Sequence, residues 1–157
     1  MNKDEVLLQS ANSRQVIREL LASINEIDLI YPQVEGIWTI KDILGHLTSW
    51  EDACLAPLKI FAEGGFFQVQ TIQNGDAWNA EQADLKSKTP INLIIDEWGT
   101  VRNRLENLLS QLTAAQLGQP LTFPWGEQGN ALELLSGLIW HEEEHMKAIK
   151  AWLEKKQ

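Results

Sequence analysis

The sequence predicts an all-α fold, a four-helix bundle with long irregular connections. Apolar residues recur at helical spacing in four long stretches, and residues typical of helix N-caps precede them. The one segment with strand character lacks a partner along the chain, and we find no internal repeat or low-complexity tract. We therefore expect a single helical domain spanning residues 1–157.

The first two long helices have clear start and stop signals. Capping-box spacings begin at Asn2 and again at Thr39, so each of these residues is the predicted N-cap of a helix. The first helix should end before Pro32, because the residue before proline is pushed out of helical geometry. Pro57 should kink or end the regular part of the second helix, and Gly64 with its glycine neighbour should stop it.

The middle of the chain predicts a loop and a third long helix. Residues 66–76 are expected to form a loop beside the bundle, and residues 76–83 a short helix. Thr89 is the predicted N-cap of the next helix, with Pro90 at its first position and its end near Leu112.

The last third of the chain predicts a capped turn, an irregular loop and the fourth long helix. Thr113 and Gln116 suggest a short capped turn. Prolines and a glycine mark residues 120–126 as an irregular loop. Asn130 is the predicted N-cap of the final helix, with Glu133 completing a capping box.

Composition narrows the class of protein. The formal net charge of −9, with scattered lysines and arginines, argues against a nucleic-acid partner. The single cysteine, Cys54, excludes an intrachain disulfide and fits a reducing compartment. No signal peptide or membrane-spanning run is evident, so we expect a cytoplasmic protein without a membrane partner. Most of the seven tryptophans should pack between helices, while Trp50 and Trp140, near histidines, are candidates for a pocket wall.

The three histidines of the chain are the candidate metal ligands. His141 and His145 lie four residues apart on a predicted helix, so their imidazoles share one face. His46 lies on another predicted helix and would complete a three-nitrogen site if the two helices face each other. Three protein ligands with an open position are typical of catalytic metal sites.

Nitrogen ligands suit Zn²⁺, Ni²⁺, Fe²⁺ or Cu²⁺ better than Ca²⁺ or Mg²⁺. Glu142 and Glu144 are near enough in sequence to orient the imidazoles, and Glu142 could move a proton in a hydrolysis. The spacing from His141 to His145 also matches the zinc-protease pattern H-E-x-x-H. We discount a peptidase, because the glycine and third histidine of the extended motif are absent.

The chain resembles the DinB/YfiT-like family of metalloenzymes, which are four-helix bundles. The run from Trp38 to Glu51 is similar to the family's second-helix signature. Trp125 with Gly126, and the run 134–153 around the histidine pair, are similar to its fourth-helix signature. Residues 76–80 match a further patch seen in many members.

The resemblance implies a divalent metal, nickel or zinc, held by His46, His141 and His145. Relatives include transferases and isomerases that use low-molecular-weight thiols, hydrolases, and colibactin-resistance-type proteins, some of which act without the metal. Since all three histidines are present here, the metal-binding branch is favoured. The resemblance is also compatible with a homodimer.

The leading functional hypothesis is a metal-dependent enzyme acting on a small molecule, either as a thiol-dependent transferase or isomerase or as a hydrolase. The metal would lower the pKa of a bound water or thiol. One alternative is a non-catalytic stress or binding protein whose metal or small ligand stabilises the bundle. Another is a metal-free bundle in which the histidines are core residues.

Overall fold

Four long helices carry most of the chain in the computed structural model, which describes residues 1–156. They are α1 (Lys3–Ala22), α3 (Ile40–Ala62), α5 (Ile91–Ser110) and α7 (Ala131–Lys156). Around the bundle, α1 packs against α7, α7 against α3, α3 against α5, and α5 against α1. The predicted all-α fold is confirmed, and α3 and α7, which carry the histidines, are neighbours.

Shorter elements fill the connections. They are α2 (Glu26–Ile30), α4 (Gly75–Lys86), α6 (Ala114–Leu117), β1 (Leu121–Thr122) and β2 (Gln128–Gly129). Helix α4 packs against α3 beside His46. In the part of the chain that the structure describes, no helix is long and apolar enough to cross a membrane.

The predicted capping boxes at the long helices are confirmed. Asn2 and Thr39 accept from backbone N–H groups three residues on, and the acidic residues there accept in return. At α7, Asn130 Oδ1 accepts from the Glu133 N–H at 2.9 Å, while Glu133 Oε1 accepts from the Asn130 N–H at 3.2 Å. A fourth box, Thr113 with Gln116, begins the short α6. Local side-chain chemistry therefore fixes where these helices begin.

Several predicted boundaries were wrong. The first helix ends at Ala22, and α2 is a separate helix capped by Asn25, whose side chain accepts from the Asp28 N–H. The N-cap of α5 is Pro90 and not Thr89, without a side-chain capping hydrogen bond. The Thr89 backbone N–H donates to the Lys86 carbonyl at 3.0 Å, so Thr89 belongs to the turn that follows α4.

The structure also differs from two predictions about where a helix ends and where the chain is irregular. Pro57 lies inside α3 and does not end it, because one missing backbone hydrogen bond is outweighed by burial of Leu58 and Phe61 beyond it. Part of the predicted irregular loop, residues 121–122, forms β1 and pairs antiparallel with β2. In this two-stranded pairing Leu121 is buried and Thr122 is exposed, the alternation of a strand packed on one face.

The interior consists of two apolar clusters separated by a layer of ions. One cluster includes Val6, Cys54 and Leu105, and the other includes Ile17, Leu47 and Met146. Between them each long helix contributes one buried charged side chain. These four are Arg14 of α1, Glu51 of α3, Arg102 of α5 and Glu142 of α7.

The ion layer is closely paired. Arg14 donates to Glu142 Oε1 at 2.8 Å, to Glu51 Oε2 at 2.8 Å and to the Trp98 carbonyl at 2.7 Å. Arg102 donates to Glu51 Oε1 and, at 3.2 Å, to the Ser10 hydroxyl. The indole N–H of Trp98 donates to Glu142 Oε2 at 2.8 Å. Two positive and two negative charges thus balance one another inside the bundle.

Candidate metal centre

The three histidines meet at one point between α3 and α7. Nε2 of His141 lies 3.1 Å from Nε2 of His46 and 3.2 Å from Nε2 of His145. One ligand atom from each residue lies within 4.8 Å of the others, so the three could hold a metal ion. A tetrahedral ion with bonds of about 2.0–2.1 Å places its ligand nitrogens roughly 3.3–3.4 Å apart. The observed spacing is close to that geometry.

A carboxylate from the loop before α3 orients one of the rings. His145 Nδ1 lies 2.6 Å from Glu35 Oε2. A carboxylate only accepts hydrogen bonds, so Nδ1 carries the proton, and in the neutral ring Nε2 then presents its lone pair to the other histidines. A carboxylate behind an imidazole in this manner is a common feature of histidine–metal sites.

Hydrogen bonding alone does not account for the three facing nitrogens. With Nε2 of His145 unprotonated, Nε2 of His141 can donate to it, but then has no lone pair for His46. One of the two close nitrogen pairs is therefore left without a hydrogen bond in any arrangement of neutral rings. A shared cation satisfies all three lone pairs, so the donor set fits a divalent ion.

The charge state of the rings agrees with this fit. Burial, together with the charges of His141 and His145, lowers the pKa of His46 to about 3. Burial and His145 lower the pKa of His141 to about 4. Both rings are therefore neutral near pH 7, the form in which imidazole binds metals.

A tight turn positions Glu35 together with Trp38. The Trp38 N–H donates to the Glu35 carbonyl at 2.9 Å, and Gly36 between them has a φ of 58°. Glycine adopts this left-handed conformation without steric cost. The turn presents the Trp38 indole to His46, with ring centroids 4.6 Å apart, and aims Glu35 at His145.

The histidines lie in the wall of a cavity of about 460 Å³. Its aromatic wall includes Trp50 and Trp140, as predicted, and also Trp38, Phe123 and Trp125. The Trp50 indole N–H donates to Asn79 Oδ1 at 2.9 Å, which ties α3 to α4. This volume is within the range of small-molecule sites.

The glutamates next to the histidine pair do not serve the site. Glu142 is fully buried in the ion layer, bound to Arg14 and Trp98, so the prediction that it could orient a ring or move a proton was wrong. Adjacent residues on a helix point about 100° apart, which turns Glu142 away from the cavity. Glu144 pairs with Lys147 on the outer face.

Glu35 was not predicted as a site residue, and neither were the two carboxylates of the cavity wall, Glu127 and Glu133. Glu35 is distant in sequence from His145. The signal in the sequence for a turn at this place is the glycine that follows Glu35. Cys54 is buried, and burial raises the pKa of its thiol, which keeps it protonated and inert.

Solved structures share this fold. YfiT from Bacillus subtilis, described as a probable metal-dependent hydrolase with an unusual four-helix bundle topology, has a TM-score of 0.75 and 16% identity, over 98% of this chain and 87% of that one. A mycothiol-dependent maleylpyruvate isomerase has a TM-score of 0.78 and 13% identity. That alignment covers 95% of this chain but only 60% of the isomerase. Comparison with curated proteins gives no match.

A third solved structure corrects one prediction. The colibactin self-resistance protein ClbS, in complex with a double-stranded DNA, has a TM-score of 0.78 and 13% identity, over 96% of this chain and 94% of that one. The prediction that acidity excludes a nucleic-acid partner was therefore wrong, because a protein of this fold is seen with DNA. Net charge describes the whole surface and does not exclude a local contact.

The family assignment comes from the sequence. Residues 9–149 match the DinB superfamily, a range that includes all three histidines. The predicted resemblance is thus confirmed over most of the chain, and the solved structures agree in fold. The chain belongs to the DinB superfamily.

Proposed function

We propose that this protein is a divalent-metal-dependent enzyme acting on a small molecule, with His46, His141 and His145 as the metal ligands. The observation that carries the proposal is the meeting of three Nε2 atoms in the wall of an aromatic cavity. Nickel and zinc are the ions we expect, since both accept three nitrogen ligands.

A ligand group made of three histidines alone favours catalysis over a purely structural metal, because structural sites usually have four protein ligands. Among the described residues, the group that could hold an ion consists of the three histidines, without a carboxylate as a fourth ligand. When bound, the ion would supply Lewis acidity, which lowers the pKa of a coordinated water or thiol. The chain's own residues orient the ligands and bind the substrate body in the aromatic cavity.

The reaction is either a thiol-dependent transfer or isomerisation, or a hydrolysis. Solved neighbours of this fold include a mycothiol-dependent isomerase and a probable metal-dependent hydrolase, which support these two reaction classes. The alternative is a non-catalytic protein that binds a metal or small ligand. We further propose that the chain forms a single helical bundle domain, because the residues of the site come from α3, α7 and their connections.

The first experiment is elemental analysis of the purified, tag-free protein and of a variant with His141→Ala and His145→Ala. About one divalent ion per chain, lost in the variant, is the expected result. A Glu144→Ala variant is the matched control, because it changes the neighbouring residue on the outer face and should keep the ion. No ion in the wild type after reloading with zinc and nickel would overturn the proposal.

Activity is then screened on the loaded protein. Low-molecular-weight thiols are paired with electrophilic substrates, and simple esters and amides test for hydrolysis. Turnover that needs both the ion and the histidines supports the enzyme. Stoichiometric metal without any turnover would support the non-catalytic alternative.

A further inference from the structure

The cavity that holds the histidines has an acidic wall. Glu127 and Glu133 line it, and among the described lining residues there is no lysine or arginine. Glu127 lies beside the β1–β2 turn, and Glu133 in the first turn of α7. Carboxylates without a neighbouring lysine or arginine produce a negative potential at their own end of the cleft, which attracts a cationic group there. The positive charge of a divalent ion would act at the other end, beside the histidines.

Tryptophan side chains surround the same space. Trp38, Trp50, Trp125 and Trp140 all line the cavity, and Trp140 remains 64% exposed at its edge. The face of an indole attracts a cation that lies within about 6 Å of the ring centroid. The same rings bury the apolar body of a ligand. Indoles and carboxylates together are therefore suited to an organic cation.

One face of α7 connects the acidic wall to the histidines. Glu133, Gly137 and His141 follow one another at intervals of four residues, so they lie along the same side of the helix. With a rise of 1.5 Å per residue, Glu133 lies about 12 Å along the axis from His141. Gly137 has no side chain, which leaves the space between them open to a ligand.

Glu133 is held in place by the helix start. Its Oε1 accepts from the Asn130 N–H at 3.2 Å, and the Asn130 side chain accepts from the Glu133 N–H. The carboxylate is thus part of a capping box and keeps a defined position at the cavity wall.

We infer that the substrate is an organic cation, with an apolar or aromatic body that carries an ammonium or guanidinium group. The inference rests on the proposed function, and it adds the substrate class. The cationic group binds near Glu127 and Glu133, the body lies against the indoles, and the reacting end faces the three histidines.

The test is calorimetric binding of three small probes to the zinc-loaded and to the metal-free protein. Phenethylamine, phenethyl alcohol and hydrocinnamate share an aromatic ring and differ in charge. Because the carboxylate of hydrocinnamate can coordinate zinc directly, the charge preference is read from the metal-free protein. There we expect phenethylamine to bind tightest and hydrocinnamate weakest. The double variant Glu127→Gln with Glu133→Gln should lower the affinity for phenethylamine by roughly three- to tenfold, since both carboxylates are exposed and each exposed ion pair contributes only modestly. Affinity for the alcohol should remain nearly unchanged.

The variants are matched in fold and charge. Glutamine also completes a capping box, so Glu133→Gln keeps the start of α7. The double variant Glu143→Gln with Glu144→Gln also removes two charges, from the outer face of the same helix, where Glu143 accepts from Ser13 at 3.4 Å and Glu144 pairs with Lys147. This control should leave all three affinities unchanged, which separates local contacts from net charge.

Three results with the metal-free protein would overturn the inference: no binding of phenethylamine, tighter binding of hydrocinnamate, or a charge preference that survives the double variant. Metal content is measured on the zinc-loaded samples, so failure of the metal site is seen separately. If no ion binds, the titrations of the metal-free protein still test the ligand class. A preference for the amine that depends on Glu127 and Glu133 then supports the ligand class, even though the proposal of a metal-dependent enzyme is overturned.

Discussion

His145 donates through Nδ1 to Glu35 at 2.6 Å, across 110 positions of sequence, and this contact joins the turn before α3 to the last helix. It fixes the orientation of the imidazole and leaves Nε2 free to face the other two histidines. The ring geometry of the candidate metal centre therefore depends on a residue outside both histidine-bearing helices.

Replacing this carboxylate should weaken metal binding without removing a ligand. We expect Glu35→Gln to lower the affinity for zinc by about 10–100-fold, the usual cost of losing such a partner. Competition with a chromophoric chelator measures the affinity. Glu144→Gln is the control, because Glu144 pairs with Lys147 and should leave the affinity unchanged. Wild-type affinity in Glu35→Gln would contradict the orienting role.

Metal should stabilise the wild type and not a ligand variant. Binding to the folded state alone adds about 2.7 kcal/mol at a metal concentration of 100 times the dissociation constant. Zinc should therefore raise the Tm of the wild type, and have a much smaller effect on His46→Leu. Scanning calorimetry with and without zinc makes the comparison. An equal rise in both proteins would mean that zinc binds elsewhere.

Glu142 should be essential to stability and dispensable as a proton carrier. It is fully buried and bound to Arg14 and Trp98, so Glu142→Ala leaves buried positive charge unpaired. We expect a loss of about 3–5 kcal/mol in the free energy of unfolding, measured by urea denaturation. The paired change Arg14→Met with Glu142→Leu should recover part of this loss. A single variant as stable as the wild type would refute the role of the ion layer.

Acid should destabilise the metal-free protein through its neutral histidines. The pKa of His46 is lowered to about 3 and that of His141 to about 4, from 6.5 in the unfolded chain. Between pH 6.5 and those values the unfolded chain binds protons that the folded protein does not, so stability falls as the pH falls. His46→Leu should reduce this pH dependence. Urea midpoints near pH 7 and pH 5 measure this dependence in both proteins. An equal fall of the midpoint in His46→Leu and the wild type would contradict the lowered pKa of His46.

We expect that Gly137 lowers the stability of α7 and keeps space open in the cavity. A methyl group there would meet Trp125 at 3.4 Å, an ordinary contact, so Gly137→Ala should stabilise α7 by about 0.5–1 kcal/mol. Gly137→Leu should instead obstruct the cavity, abolishing probe binding while metal content remains. Gly99→Ala is the control, since its methyl group would lie 3.7 Å from Arg18, outside the cavity. Unimpaired probe binding in Gly137→Leu would place the ligand elsewhere.

The sequence by itself determined the helices and the histidine set. Caps such as Thr39 and Asn130 bind backbone groups within a few residues, so the starts of α3 and α7 can be predicted from the local sequence. The spacing of His141 and His145 on one helix face is equally local. Their meeting with His46 was a prediction that required α3 and α7 to be neighbours, and the fold makes them so.

Tertiary structure alone decided which carboxylates serve the site. Glu142 follows His141 directly, yet the rotation of α7 buries it beside Arg14, while Glu35 reaches His145 from a distant turn. The strand pairing of residues 121–122 with 128–129 likewise depends on burial of Leu121 against the bundle. Such contacts depend on how the helices pack. The packing energy comes from contacts between residues distant in sequence, which a local sequence pattern does not predict.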